Sequence, residues 1–208
     1  MSQIKNIIFD FGGVLLNLDE SITRNKFTEI LDPEKCKNIH EEVFYPYERG
    51  EISEEAFFNR LQRRSIKVLN GEIYYEIWNA MLLDFPQHRL DYIIQLRKRH
   101  KLILLSNTNI THIRNVLRRL KLDLHVDKLE DYFDHIYYSH DIHLRKPDPE
   151  IFKFVLQDAQ IIAEESLYID DKIENTTSAA SLGFNIHHHD STQDISSILE
   201  EILIKLKD

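Results

Sequence analysis

Five short apolar runs constrain this chain more than any other feature: NIIF (6–9), LILL (102–105), HIYY (135–138), LYI (167–169) and FNI (184–186). A strand with one wet face alternates apolar and polar residues, whereas continuous hydrophobicity marks a strand covered on both faces, as in a parallel sheet. Between the runs lie longer stretches with apolar residues at spacings of three and four: PQHRLDYIIQLRKRH (86–100), PDPEIFKFVLQDA (147–159) and DISSILEEILIKLK (194–207). The first of these opens on proline and closes on basic residues, which suits helix polarity. Alternating strands and amphipathic helices predict an α/β fold with a doubly wound, Rossmann-like parallel sheet.

The rhythm breaks once. From Leu16 to Phe85 no strand pattern occurs, only helical segments such as SITRNKFTEIL and SEEAFFNRLQRRSI, the latter opening on a serine cap followed by first-turn acids. The expected organisation is therefore an α/β core of residues 1–15 and 86–208 interrupted by a small helical bundle over 16–85. At 208 residues there is room for both.

Charge narrows the function. Acidic residues outnumber basic ones by 35 to 26, a formal charge of −9, which argues against nucleic-acid binding because that needs a basic face to displace counterions. A phosphate-bearing ligand would then require a local cation. The single cysteine, Cys36, excludes an intrachain disulfide and suits a reducing compartment; its charged surroundings argue against a nucleophilic thiol. With no leader-like start and no run of membrane-spanning length, the expectation is a cytoplasmic protein with no membrane partner.

Three of the expected strands end in polar groups suited to one chemistry: Asp10 after the first, Ser106 and Asn107 after the second, Asp170 and Asp171 after the fourth. Ligands of open parallel sheets bind beyond the carboxyl ends of the strands, so these groups should converge. Lys146 follows the third strand, and Pro147 biases it away from helix. Three carboxylates can hold Mg2+, a hard cation that takes oxygen ligands. A lysine, a serine hydroxyl and backbone N–H groups can hold the oxygens of a phosphoryl group, while one carboxylate attacks phosphorus.

The triplet Asp10-Phe11-Gly12 is also the magnesium-binding triplet of protein kinases. A kinase would need a glycine-rich loop, a strand lysine and a catalytic loop ahead of it, and nine residues cannot hold them. Instead FDFGGV, LLSNTN, RKPDPEIF and YIDDKIENTTSA, in that order, resemble the four motifs of the haloacid dehalogenase-like hydrolase superfamily. The likeness covers essentially the whole chain, and the helical insert falls where that superfamily carries its cap. FDFGGVLLNLD, YERGEISEEAF and LSNTN are most similar to the bacterial α-D-glucose-1-phosphate phosphatase group.

The resemblance implies Asp10 as nucleophile and magnesium ligand, with the Gly12 carbonyl, Asp171 and Asp170 (directly or through water) completing the metal site. It implies phosphate contacts from Ser106, the Asn107 amide and Lys146, and an Asn175 that orients Asp171. Phosphatases of this superfamily usually carry a second aspartate where Gly12 stands, acting as general acid and base. The implied function is magnesium-dependent hydrolysis of a small phosphorylated metabolite. Two alternatives stay open: a non-catalytic relative that binds a phosphorylated metabolite or protein partner, and a 2-haloacid dehalogenase, which needs no metal.

Three further stretches have two readings. In YERGEIS (47–53), Glu48 and Arg49 either reach the substrate or form an exposed turn. In IHHHD (186–190), only His187 and His189 share a strand face, and a solvated strand end is expected. Ser139, His140 and Asp141 spell the letters of a hydrolytic triad, but contiguous residues cannot assemble one.

Overall fold

The computed structural model describes residues 3–206, so Lys207, the end of the last expected helix, lies outside the described residues. Five parallel strands, β1 (Asn6–Phe9), β2 (Lys101–Ser106), β3 (His135–Tyr138), β4 (Ser166–Asp170) and β5 (Asn185–His188), form one sheet in the order β3-β2-β1-β4-β5. The fifth strand starts one residue later than FNI and continues to His188. Alternate residues of the central strands serve opposite faces: Ile7, Phe9, Leu102, Leu104, Leu167 and Ile169 belong to one apolar cluster, and Ile8, Ile103, Leu105 and Tyr168 to the other. Both faces need oil, which is why these runs show no polar alternation.

The helices follow in chain order: α1 (Glu20–Thr28), α2 (Tyr45–Glu48), α3 (Glu54–Arg64), α4 (Gly71–Asn79), α5 (Gln87–Leu96), α6 (Ile110–Leu124), α7 (Ser139–Ile142), α8 (Pro149–Asp158), α9 (Ile173–Ser181) and α10 (Ile195–Lys205). The first sheet cluster is closed by apolar residues of α5, α6 and α10, the second by those of α8 and α9. The strands thus carry helices on both sides. Among the described residues, no helix is long and apolar enough to cross a membrane.

Helices α1 to α4 have an apolar cluster of their own, with Phe27, Val43, Tyr47, Phe57, Tyr74 and Trp78 buried in it. Local capping sets their ends. Asp19 accepts the Ser21 N–H ahead of α1, and the Ser53 hydroxyl oxygen accepts the Ala56 N–H ahead of α3. A single π-helical turn, His40–Phe44, runs directly into α2.

One link between this bundle and the sheet is sensitive to protons. His112 on α6 stacks on Trp78 with ring centroids 4.7 Å apart. Its Nε2 lies 3.0 Å from the Trp78 carbonyl, while Nδ1 faces the Asn109 side-chain nitrogen at 3.3 Å. The ring therefore donates from Nε2 and accepts at Nδ1, and a second proton would meet a donor. Burial holds its pKa down to about 4 from an ordinary 6.5. The unfolded chain takes up this proton below about pH 6.5 and the folded chain does not. Stability from this group is thus complete above that pH and is lost as pH falls towards the folded value. From pH 7 to pH 5 the loss should be about 2 kcal/mol. Urea unfolding at both pH values should show a smaller fall in a His112→Gln variant than in the wild type; equal falls would place the acid sensitivity elsewhere.

Candidate active site

Register brings the strand ends level. Phe9 pairs with Leu104 and with Ile169, so Asp10 stands beside Leu105 and Asp170, one step below Ser106. The Asp10 N–H continues the ladder to the Ile169 carbonyl at 2.8 Å, and its Oδ1 accepts the Phe11 N–H at 2.7 Å. The carboxylate is thereby aimed by backbone on both sides. Its Oδ2 receives no hydrogen bond from the described residues.

Lys146 stands between two of these carboxylates. Its Nζ lies 2.9 Å from Asp10 Oδ1 and 2.8 Å from Asp170 Oδ2, and donates to the Leu105 carbonyl at 2.9 Å. All three ammonium protons are engaged, and the side chain is 1% exposed. Asn107 holds the lysine from behind: its Nδ2 donates to the Lys146 carbonyl and its Oδ1 accepts the Lys146 N–H, both at 2.9 Å. With its side chain so committed, Asn107 has only backbone N–H to offer a ligand.

Asp170 is fully buried. Lys146 and the Tyr168 hydroxyl donate to Oδ2, the Lys172 N–H donates to Oδ1 at 2.8 Å, and Asn175 Nδ2 reaches both oxygens at 3.0 Å. This corrects the expectation for Asn175: it orients Asp170, not Asp171, because the Asp170 carboxylate is turned towards the start of α9, where the Lys172 N–H also meets it. Asp171 is half-buried, with Lys172 Nζ 3.5 Å away and the same ammonium 3.0 Å from Glu20 of α1. Gly13 adopts φ +76, and a Cβ there would come within 2.7 Å of Asp171 Oδ2. Glycine is required for that turn to pack against the carboxylate.

The electrostatics are those of crowded acids. Burial pushes the Asp10 carboxyl up to about 7 in spite of Lys146, with Asp170 and Asp171 adding repulsion. Burial and Asp170 likewise raise Asp171, against the pull of Lys172. Burial opposes charge on Asp170 too, yet Lys146 and the hydrogen bonds from Tyr168 and Lys172 hold it below the usual carboxylate range. Lys146 stays above the usual ammonium value: burial disfavours its charge, but Asp10 and Asp170 outweigh that.

One oxygen from each of Asp10, Asp170 and Asp171 lies within 4.8 Å of the others. This all-oxygen donor set, in excess of negative charge, fits a hard divalent cation such as magnesium. Asp10 and Asp171 are the freer donors, since the oxygens of Asp170 already accept from four residues. Gly12 lines the same crevice two residues after Asp10.

The crevice has a volume of about 930 Å³ and runs between the strand ends and the helical bundle. Asp10, Ser106, Lys146 and Asp171 line its floor, with Glu48 and Arg145 on its wall. Glu48 is not in a free turn: Arg145 Nε donates to it at 2.6 Å, and that guanidinium lies 3.8 Å above the Tyr45 ring. The turn itself is docked. Gly50, at φ +65, approaches the His140 carbonyl so closely that a Cβ would lie 2.2 Å from it, and the Arg49 carbonyl faces His143 Nδ1 at 2.7 Å. Of the two readings of this stretch, the exposed turn gives way to a contact between bundle and core, and of its two candidates only Glu48 lines the crevice. The Arg49 side chain leaves the site and pairs with Glu51 at 2.6 Å, outside the residues that line the crevice.

The remaining sequence candidates fall outside this chemistry. Ser139 is buried, bonded to both the N–H and the carbonyl of Thr108, and it holds a loop. Burial raises the Cys36 thiol, which keeps it un-ionised. His187 and His189 do share one face, with ring centroids 5.8 Å apart, but the expected solvated strand end is corrected because His189 is only 2% exposed. Its N–H extends the β4–β5 ladder to Asp170, which draws the end of IHHHD inward. Sequence patterns do not single out Arg145, Lys172 or Tyr168. Each adjoins a motif residue in sequence or by strand alternation, but only their partners identify them.

Residues 4–183 match the haloacid dehalogenase-like hydrolase family. The chain is 31% identical to D-ribitol-5-phosphate phosphatase of Bacteroides thetaiotaomicron over 97% of its length and 99% of that protein's. It is 27% identical to a sesquiterpene phosphatase of Aspergillus oryzae over 91% and 92%. The crystal structure of a family enzyme from Bacteroides thetaiotaomicron in complex with magnesium superposes with a TM-score of 0.84 at 33% identity, covering 95% of this chain and 99% of that one.

Proposed function

Because the chain belongs to the haloacid dehalogenase-like hydrolase family, we propose that it is a magnesium-dependent phosphatase that hydrolyses a small phosphate monoester through an aspartyl-phosphate on Asp10. The observation that carries this reading is the buried Lys146 ammonium between Asp10 and Asp170 at the floor of an open crevice. A carboxylate held by a cation, with an oxygen left free, is a nucleophile prepared for an anionic electrophile.

Asp10 Oδ2 attacks phosphorus as the ester P–O bond breaks and the alcohol oxygen leaves with the electron pair. Ser106 and the backbone N–H of Asn107 hold the non-bridging oxygens, and Lys146 keeps the Asp10 carboxylate oriented. Water then attacks the phosphorus of the acyl-phosphate, releasing phosphate and restoring the Asp10 carboxylate. Magnesium, held by Asp10 and Asp171 with Asp170 behind them and the Gly12 carbonyl alongside, would supply the positive charge that lets an anion approach a phosphate dianion. Glu48, with Arg145, faces the alcohol and selects among substrates.

The finer reading is a sugar phosphate, with sugar 1-phosphates favoured because an anomeric hydroxyl leaves more readily than a primary alcohol. The relative that acts on D-ribitol 5-phosphate, a primary-alcohol ester, makes polyol phosphates the direct competitor. Phosphate release should be measured over sugar 1-phosphates, 6-phosphates and polyol phosphates, with magnesium and then with EDTA. Release that EDTA abolishes is expected; none from any ester would favour a non-catalytic binder, and EDTA-insensitive turnover would remove the metal from the mechanism.

Asp171 separates binding from chemistry. Asp171→Ala should weaken magnesium binding and lower activity, with recovery as magnesium is raised. A loss that does not respond to magnesium titration would assign Asp171 another role.

A further inference from the structure

Resting on the phosphatase reading, we infer that Leu18 determines which alcohols can leave, by filling with hydrocarbon the space that a proton donor at position 12 would occupy. The chain from Phe11 folds back on itself: the Leu16 N–H donates to the Phe11 carbonyl at 2.8 Å, and the Gly13 N–H to the Leu16 carbonyl at 2.9 Å. This hairpin-like turn carries Leu18 back over Gly12. A Cβ built at Gly12 would lie 2.3 Å from Leu18 Cδ1 and 3.1 Å from its Cγ. Gly12 and Leu18 both line the crevice beside Asp10. Leu18 is itself held, bridged to Leu82 and packed against the apolar cluster beneath the sheet.

Three other titratable side chains of the wall have partners. Glu48 is paired with Arg145, Glu20 with Lys172, and both ring nitrogens of His112 have partners. His40, stacked edge-on against Phe44 at 5.1 Å between centroids, Tyr45 under the Arg145 guanidinium and Glu174 of α9 also line the crevice, and a proton donor would have to come from these.

When the Asp10–phosphorus bond forms and the ester bond breaks, the electron pair stays on the alcohol oxygen. Facing Leu18, that oxygen leaves as alkoxide and takes its proton from water afterwards. The rate then follows the acidity of the alcohol, and activated esters turn over while simple alkyl esters lag. A positioned general acid is worth ~10²–10⁴ in rate, and most for the least acidic alcohols.

The test is a series of aryl and alkyl phosphates of decreasing leaving-group acidity. It is run on wild type, Leu18→Ala, Gly12→Asp, Gly12→Asp combined with Leu18→Ala, and Leu18→Glu. Wild type and Leu18→Ala should show a steep decline along the series. Gly12→Asp alone should keep it and lower thermal stability, because its Cβ meets Leu18. The double variant should narrow the aryl-to-alkyl gap by about 10²-fold. Leu18→Glu, which leaves the backbone turn intact, should narrow it as well, so the inference does not depend on the double variant folding. A wild-type series that is flat yet abolished by Asp10→Asn overturns the inference and leaves the phosphatase reading standing. Flatness lost in His40→Gln, Tyr45→Phe or Glu174→Gln would identify that residue as the donor. An equally steep series in folded Leu18→Glu and double variants overturns it too, whereas a wild type inactive on every ester fails the phosphatase reading itself.

Discussion

Asp10→Asn should reduce turnover by roughly four orders of magnitude or more, the scale seen when a nucleophile is removed, while the protein remains folded. The substituted amide has nearly the same shape, and its oxygen can still accept the Phe11 N–H and a proton of Lys146. Folding should not suffer, since burial makes a charged Asp10 costly in the first place. The measurement pairs phosphate release with thermal unfolding and inorganic-phosphate binding. A folded variant that keeps most of the wild-type rate would disprove covalent catalysis by Asp10. A variant that loses both activity and fold would show the carboxylate to be a structural partner of Lys146 first.

Lys146→Ala should have the next largest effect, and on two quantities at once. Removing one member of a buried ion pair leaves uncompensated charge, a loss on the order of 3–5 kcal/mol. Here two carboxylates lose their shared partner, and Asp170 has no exposure through which water could compensate. Activity should fall and should not recover at high magnesium, because the missing cation is fixed beside the nucleophile. That separates it from Asp171→Ala, whose loss magnesium should relieve. Identical responses of the two variants to magnesium titration would mean that lysine and metal do the same work. Lys146→Met, which keeps the packing volume, should recover part of the stability and none of the activity.

The first of these residues stands out in the linear sequence, and the reason is local. A strand buried on both faces must be continuously apolar, so the polar residue ending it is conspicuous; NIIF followed by Asp10, LILL by Ser106 and LYI by Asp170 are of this kind. Parallel order then forces those ends to one edge, and the pairing of Phe9 with both Leu104 and Ile169 puts them level. The 3.6-residue spacing locates α5, α8 and α10, and the Ser53 cap locates α3. The same spacing, in Ile113, Val116 and Leu120, also marks α6, the longest helix described and the carrier of His112, although it is not among the helices expected above.

What depends on nearest neighbours along the chain is therefore legible in the residues themselves: strand faces, helix starts, the groups at strand ends and the interruption from Leu16 to Phe85. What depends on which side chain reaches across a gap emerges only from packing. Asn175 serves Asp170 because that carboxylate, not the one next to it, is turned towards the start of α9. Arg49 turns away to Glu51 while Arg145, from the other side of the crevice, takes Glu48. Gly50 reads as part of a flexible turn, yet it is a close approach of the bundle to the His140 carbonyl. His189 looks solvated in a run of histidines, yet it is buried and its N–H extends the ladder to Asp170. Gly12 reads as a missing acid, but only the fold brings Leu18 into the place of that acid, six residues on along the chain and in contact across the turn. Side-chain identity fixes which bonds are possible; distance in the folded chain selects among them, and distance is what a linear pattern does not carry.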